Sequence, residues 1–169
     1  MKADELRALQ SPLKQKYRDD PSAAIVTLRA EAKMADGISC RVDTGRALIE
    51  AGLHPATGGS GGQACSGDML LQALAACAGV TLSAVATAIG VTLVDATVRI
   101  EGQLDFRGTL AVSKDAPIGF RTIRLMFELD TQASDDEVAK LIELTERYCV
   151  VLQTLRSPPE IHTTRRIRT

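Results

Sequence analysis

Between Met69 and Val94 the chain runs for 26 residues without an Asp, Glu, Lys or Arg, and any fold must find a place for that segment away from water. A helix of this length could cross a bilayer, whose apolar core takes roughly 20 residues. Three features favour a soluble core instead. Half of the 26 residues are Ala, Gly, Ser or Thr, no cationic flank sets an orientation, and alternating strand patterns follow at once. A helix that is apolar all round is then a buried central helix. Ser66 or Asp68 is placed to cap its start and Gly90 to end it. Its small side chains suit the close approach of another helix, within the fold or across a dimer axis.

The rest of the chain supplies what this helix packs against. Residues 1–22 mix charges of both signs, contain no apolar run and reach Pro21; they read as a polar N-terminal extension ahead of a single domain over 23–169. Such an N-terminus is neither a secretory signal nor an anchor, which makes a cytoplasmic location the expectation. From Ala23 the segments AIVTLRAEAKM and ISCRVD flank Ala35-Asp36-Gly37 and read as a hairpin, and RALIEAG as a third short strand. Five glycines between Gly58 and Gly67 make a loop, because each Gly costs about 1 kcal/mol in a helix relative to Ala. After the long helix, Val94, Ala96, Val98 and Ile100 alternate with polar residues, and Ile123, Leu125, Phe127 and Leu129 do so again, which predicts a strand pair. Ser134 and Glu137 form a capping box that opens a second helix. Val138, Leu141, Ile142, Thr145, Tyr148, Cys149 and Leu152 lie along its inner stripe, and it ends before Pro158. The tail EIHTTRRIRT reads as a last strand. The fold class is α+β: largely antiparallel sheets packed around a long buried helix and a second, amphipathic one.

Composition removes several functions. At 169 residues and 45% hydrophobic the chain can build one sizeable core. A net charge of −1, three Phe, two Tyr and no Trp offer neither a field nor a stacking surface for nucleic acid. The basic Arg165, Arg166 and Arg168 fit a solvated edge strand. Cys40, Cys65, Cys77 and Cys149, at spacings of 25, 12 and 72, match no zinc pattern. His54 and His162 begin no metal motif. Neither a metal nor a cofactor is expected, nor a membrane partner.

The cysteines remain the only candidates for chemistry. Cys77 lies in the middle of the long helix and Cys149 near the middle of the second, both at positions expected to be buried. From periodicity alone, packing is the simpler reading, since free cysteine behaves as a small hydrophobe. Cys65 sits in the Gly-rich loop just before the long helix, where backbone N–H groups could stabilise a thiolate; an ordinary loop cysteine is the alternative. Cys40, on an alternating strand, is read as structural.

Specific residues shift this balance. GGSGG followed by DMLLQALAACAGVTLSAVATAIGV, then GF-x-x-I before a strand, then ERYCVVLQTL, resemble the OsmC/Ohr family of osmotically induced and organic hydroperoxide resistance proteins, over roughly Gly58 to Ile167. The resemblance implies an intertwined homodimer with active sites near the subunit interface. It also implies reduction of organic hydroperoxides, with Cys77 as nucleophile, Cys149 as resolving cysteine, and a dithiol reductant, of lipoyl type among others. The chemistry suits the pair. A thiolate attacks the O–O bond and becomes a sulfenic acid, which the second thiol traps before irreversible oxidation. The sequence departs from the family where a Pro-Glu pair is expected ten residues before the first cysteine, since Ser66-Gly67 stand there, and Val150 replaces the proline after the second cysteine. Asp68 is read as a helix-terminal residue, because nine helical residues would set it about 13.5 Å from Cys77 and turn it away. Arg29, Arg41 and Arg46 are candidate cations for Cys77, none in a context that singles it out. A non-catalytic or redox-sensing dimeric binding protein is therefore the alternative function.

Overall fold

The computed structural model describes residues 3–35, 39–42, 52–62 and 64–167. The uncharged segment forms α2 (Ser66–Ile89), entered through Cys65 at its N-cap and closed by Gly90 in the left-handed conformation at φ 78°. Gly90 thus ends the helix as the sequence predicts, since a left-handed C-cap favours a residue without Cβ. Against α2 lies a four-stranded antiparallel sheet in the order β2-β1-β3-β4, made of β1 (Ile25–Ala35), β2 (Ser39–Val42), β3 (Asp95–Asp105) and β4 (Phe120–Asp130). The hairpin and the second strand pair appear as the alternation requires. The third short strand predicted at 46–52 lies outside the described residues except for Gly52, which carries no strand.

The pleat divides β3 into two faces. Ala96, Val98, Ile100, Gly102 and Leu104 are buried, and α2 packs on β1 and β3. On the other face Arg99 joins Glu31 of β1 at 2.7 Å and Glu128 of β4 at 3.0 Å, tying three strands together at the surface. Leu71, Leu74 and Leu82 of α2 have no exposed surface, and each contributes about 1.5–3 kcal/mol by leaving water. The most apolar stretch of α2 is long enough for a membrane, but half of it is buried inside the protein, where a core helix belongs.

Gly102 is required by a close approach. A Cβ there would land inside contact distance of the Phe120 ring and against Leu71. A register shift between Gln103 and Leu104 sets Phe120, the first residue of β4, opposite Leu104.

The N-terminal segment is helical, as α1 (Ala3–Asp19). Tyr17 of this segment is buried within the hydrophobic core and donates its hydroxyl to the carbonyl of Ala56 at 2.6 Å. Gln10 donates to the carbonyl of Thr57 at 3.2 Å. A short turn, α3 (Phe106–Thr109), follows β3, started by the Asp105 side chain accepting from the Arg107 N–H at 3.1 Å.

Two expectations are corrected. The second helix does not run unbroken toward Pro158: α4 (Asp135–Tyr148) ends at Cys149, which has extended backbone angles (φ −70°, ψ 103°), and α5 (Val150–Arg156) begins after it. Cys149 therefore sits at a junction, not mid-helix. The run Val150-Val151 is β-branched and a weak helix former, and Gln153 donates to the Glu146 carbonyl at 2.7 Å, satisfying an acceptor at the end of α4. The tail is likewise no strand among the described residues: 157–167 are exposed and irregular, because an extended segment without a neighbour has no ladder to join.

Candidate active site

Cys77 opens the fourth turn of α2, about one turn after Leu74, and remains partly exposed. Cys149 has no exposed surface. The packing of α4 and α5 on α2 brings the two thiols, 72 residues apart in sequence, close enough for each to feel the other's charge. Burial is the main reason that the Cys149 thiol is pushed up to about 11; the backbone N–H of Leu152 opposes, the neighbouring Cys77 adds to the rise, and the N–H of Val151 opposes it weakly. The pair is thus unsymmetrical, with one cysteine partly exposed and the other fully buried.

A groove of about 420 Å³ lies one turn from the pair, floored by Leu74, Phe120, Ile123, Leu125, Leu152 and Leu155. This is the size range of small-molecule sites. Its polar rim is Arg121, Thr122, Glu146 and Arg156. Arg156 is committed to Glu146 at 2.8 Å, a bridge that spans the α4–α5 junction and holds α5 in place. Sequence reasoning missed this rim, and its only signal was the GF-x-x-I motif that supplies Phe120 and Ile123.

The other singled-out residues lie elsewhere. Cys65 is the N-cap of α2 and makes no side-chain cap hydrogen bond; it lines a separate cavity of about 420 Å³ with His54, Leu104, Phe106 and Ile118. Twelve helical residues separate it from Cys77, about 18 Å. His54 accepts from the Ala56 N–H through Nδ1 at 3.0 Å and stacks on Phe106. Asp68 stands in the first turn of α2, and its carboxyl is raised by burial, His54 pulling the other way. Arg46 lies outside the described residues, and Arg29, Arg41 and Cys40 are described by their backbone alone. Arg29 pairs with Glu101 in the β1–β3 ladder, and Cys40 with Met34 in the β1–β2 hairpin. His162 is exposed in the tail, 3.6 Å from Glu160.

A sheet-backed central helix carrying one cysteine, with a second cysteine near it at a helix junction, places the chain in the α+β class. The chain belongs to the OsmC-like protein family, whose model matches residues 59–164, and it is a divergent member. Its fold is similar to that of an OsmC-like hydroperoxide resistance protein from Jannaschia sp. CCS1, with TM-score 0.63 and 17% identity over 85% of this chain and 95% of that one. It is also similar to an OsmC-like protein from Mycoplasma pneumoniae, with TM-score 0.55 and 20% identity over 79% of this chain and 86% of that one. No curated protein matches the sequence.

Proposed function

We propose that this protein reduces organic hydroperoxides with two cysteines and thereby serves in defence against peroxide stress. The observation that carries the reading is the proximity of a partly exposed Cys77 to a fully buried Cys149. Family membership and the hydroperoxide resistance named for the Jannaschia protein support it. The Cys77 thiolate attacks the distal peroxide oxygen, the O–O bond breaks, and the alkoxide leaves as an alcohol after taking a proton. Cys77 is then a sulfenic acid. The Cys149 thiolate attacks its sulfur, water leaves, and a disulfide joins the two residues. A dithiol returns both to thiols. The apolar groove beside the pair favours a substrate with a hydrocarbon body over hydrogen peroxide.

The working form is a homodimer. Leu70, Ala73, Cys77, Val80, Ala84 and Thr87 recur at alternating spacings of three and four along α2, and each is exposed or partly so. This is the spacing of a helix–helix seam, and small side chains let a second helix come close. Cys77 lies within that seam, which sets the site near the subunit interface. The single domain is taken as 23–169, with 1–22 as an extension whose helix docks on it through Tyr17.

A second reading rests on Ser66-Gly67 standing where the family's Pro-Glu pair is expected. Without that carboxylate to orient a cation near Cys77, the protein would be a redox sensor or binding protein with slow turnover. Consumption of cumene hydroperoxide in the presence of a dithiol separates the two. Turnover well above the protein-free rate, abolished by Cys77→Ser and reduced to a single event by Cys149→Ser, is expected for the peroxidase. Turnover no faster than the protein-free control would leave the sensing reading.

A further inference from the structure

Cys149 has no exposed surface in the isolated chain, and a second subunit can only bury it further. Cys77, its neighbour across the α2 packing, keeps part of its surface open. We propose that the Cys77–Cys149 disulfide is opened by attack at the Cys77 sulfur, so that the reductant is carried covalently on Cys77 while Cys149 departs as the leaving thiolate. This rests on the two-cysteine reading above and adds to it the identity of the sulfur that meets the reductant.

The geometry of exchange carries the argument. A thiolate displaces a disulfide along the line of the S–S bond, so which sulfur is attacked depends on access from the side opposite its partner. Cys77 stands on the exposed stripe of α2 with part of its surface open, so an incoming thiol can reach it. Cys149 has no exposed surface from any side and sits at a helix junction across which Gln153 and Arg156 bond to Glu146 at 2.7 and 2.8 Å. Any opening that admits a hydroperoxide to Cys77 in the dimer admits a slender thiol to the same atom. Oxidant and reductant therefore use one entrance in turn. The N–H groups of Leu152 and Val151, which favour the charged form of Cys149, receive the charge that develops on the leaving sulfur.

The step balances. One thiolate of the dithiol bonds to the Cys77 sulfur, the Cys77–Cys149 bond breaks, and its electron pair goes to the Cys149 sulfur, which takes a proton. The second thiol loses its proton and attacks the reductant's own sulfur in the mixed disulfide. Cys77 leaves as a thiolate. The dithiol has given up two electrons and become a cyclic disulfide.

The test uses the full chain carrying Cys40→Ser and Cys65→Ser, with the disulfide made by diamide so that it does not depend on peroxidase activity. Mercaptoethanol is added, the reaction is stopped in acid, free thiols are capped with a maleimide, and the peptides are weighed. The expected result is mercaptoethanol on Cys77 and maleimide on Cys149, in about tenfold excess over the reverse. Adduct on Cys149, equal amounts on both, or failure of diamide to join the pair would overturn the proposal. Should the mixed disulfide be too short-lived to trap, a second measurement decides. Cys149→Ser and Cys77→Ser variants are labelled with thionitrobenzoate at the remaining cysteine, and release of the dye by mercaptoethanol is timed. Release about tenfold faster from Cys77, or refusal of native Cys149 to take the label, is the expected result; equal rates overturn it. A Cys77 adduct without hydroperoxide consumption would sink the peroxidase reading and leave this inference standing.

Discussion

At Cys149 one side chain is asked to be both core and reagent. Its burial makes it a good packing residue and a reluctant acid, with a thiol pushed up to about 11. The thiolate is the form that attacks a sulfenic acid, and at neutral pH only about one molecule in ten thousand would carry it. Because the shift is upward, the thiolate fraction grows as pH rises toward the shifted value, and resolution accelerates with it. We expect the rate of disulfide formation, after one equivalent of cumene hydroperoxide, to rise about tenfold for each pH unit between about 7 and 9. A rate unchanged over that range, followed by mass spectrometry of quenched samples, would place ionisation of Cys149 outside the slow step.

Among the elements, α1 is the one whose role differs most from its composition. Its sequence is polar and carries Pro12, yet Tyr17 enters the core and its hydroxyl fixes the Ala56 carbonyl, in the segment that leads from His54 toward α2. Removing that hydroxyl leaves a carbonyl without its partner. Tyr17→Phe should lower stability by about 1 kcal/mol, and Tyr17→Ala by about 3 kcal/mol or more, both read from urea melts with the ring-deletion variant the worse of the two. A Tyr17→Ala protein as stable as wild type would show that α1 adds nothing to the fold. The α4–α5 break works at the same scale, because it turns a helix stripe residue into a junction residue and sets its sulfur against α2.

For the whole molecule, the seam along α2 predicts an assembly. Val80 is 38% exposed and lies one turn beyond Cys77 in that seam. In the proposed dimer Val80→Asp would place a carboxylate in the α2 seam, and desolvating an unpaired carboxylate is costly enough to break an interface. Sedimentation should show a dimer for the wild-type chain and a monomer for the variant, with hydroperoxide turnover falling alongside. A monomeric wild type with full turnover would remove the dimer from the mechanism.

Much of this architecture was legible in the residues. The uncharged run of α2, the alternation of β3 and β4, the Ser134–Glu137 box and the Gly90 stop are local signals, each written in a few neighbouring side chains. The two cysteines could be named as candidates for the same reason. What the sequence by itself determined was which segments leave water and which residue types could do chemistry, because hydrophobic period and thiol content are properties of the chain. Only the tertiary structure decided that Cys149 sits at a helix junction near Cys77, that a groove with Arg121 and Glu146 at its rim forms against Leu74 and Leu152, and that residues 157–167 form no strand among the described residues. Those outcomes depend on contacts between residues far apart in sequence, where packing of α4 and α5 on α2 outweighs the modest helix preference of a Cys-Val-Val run, and no local pattern records which of two distant side chains will be neighbours.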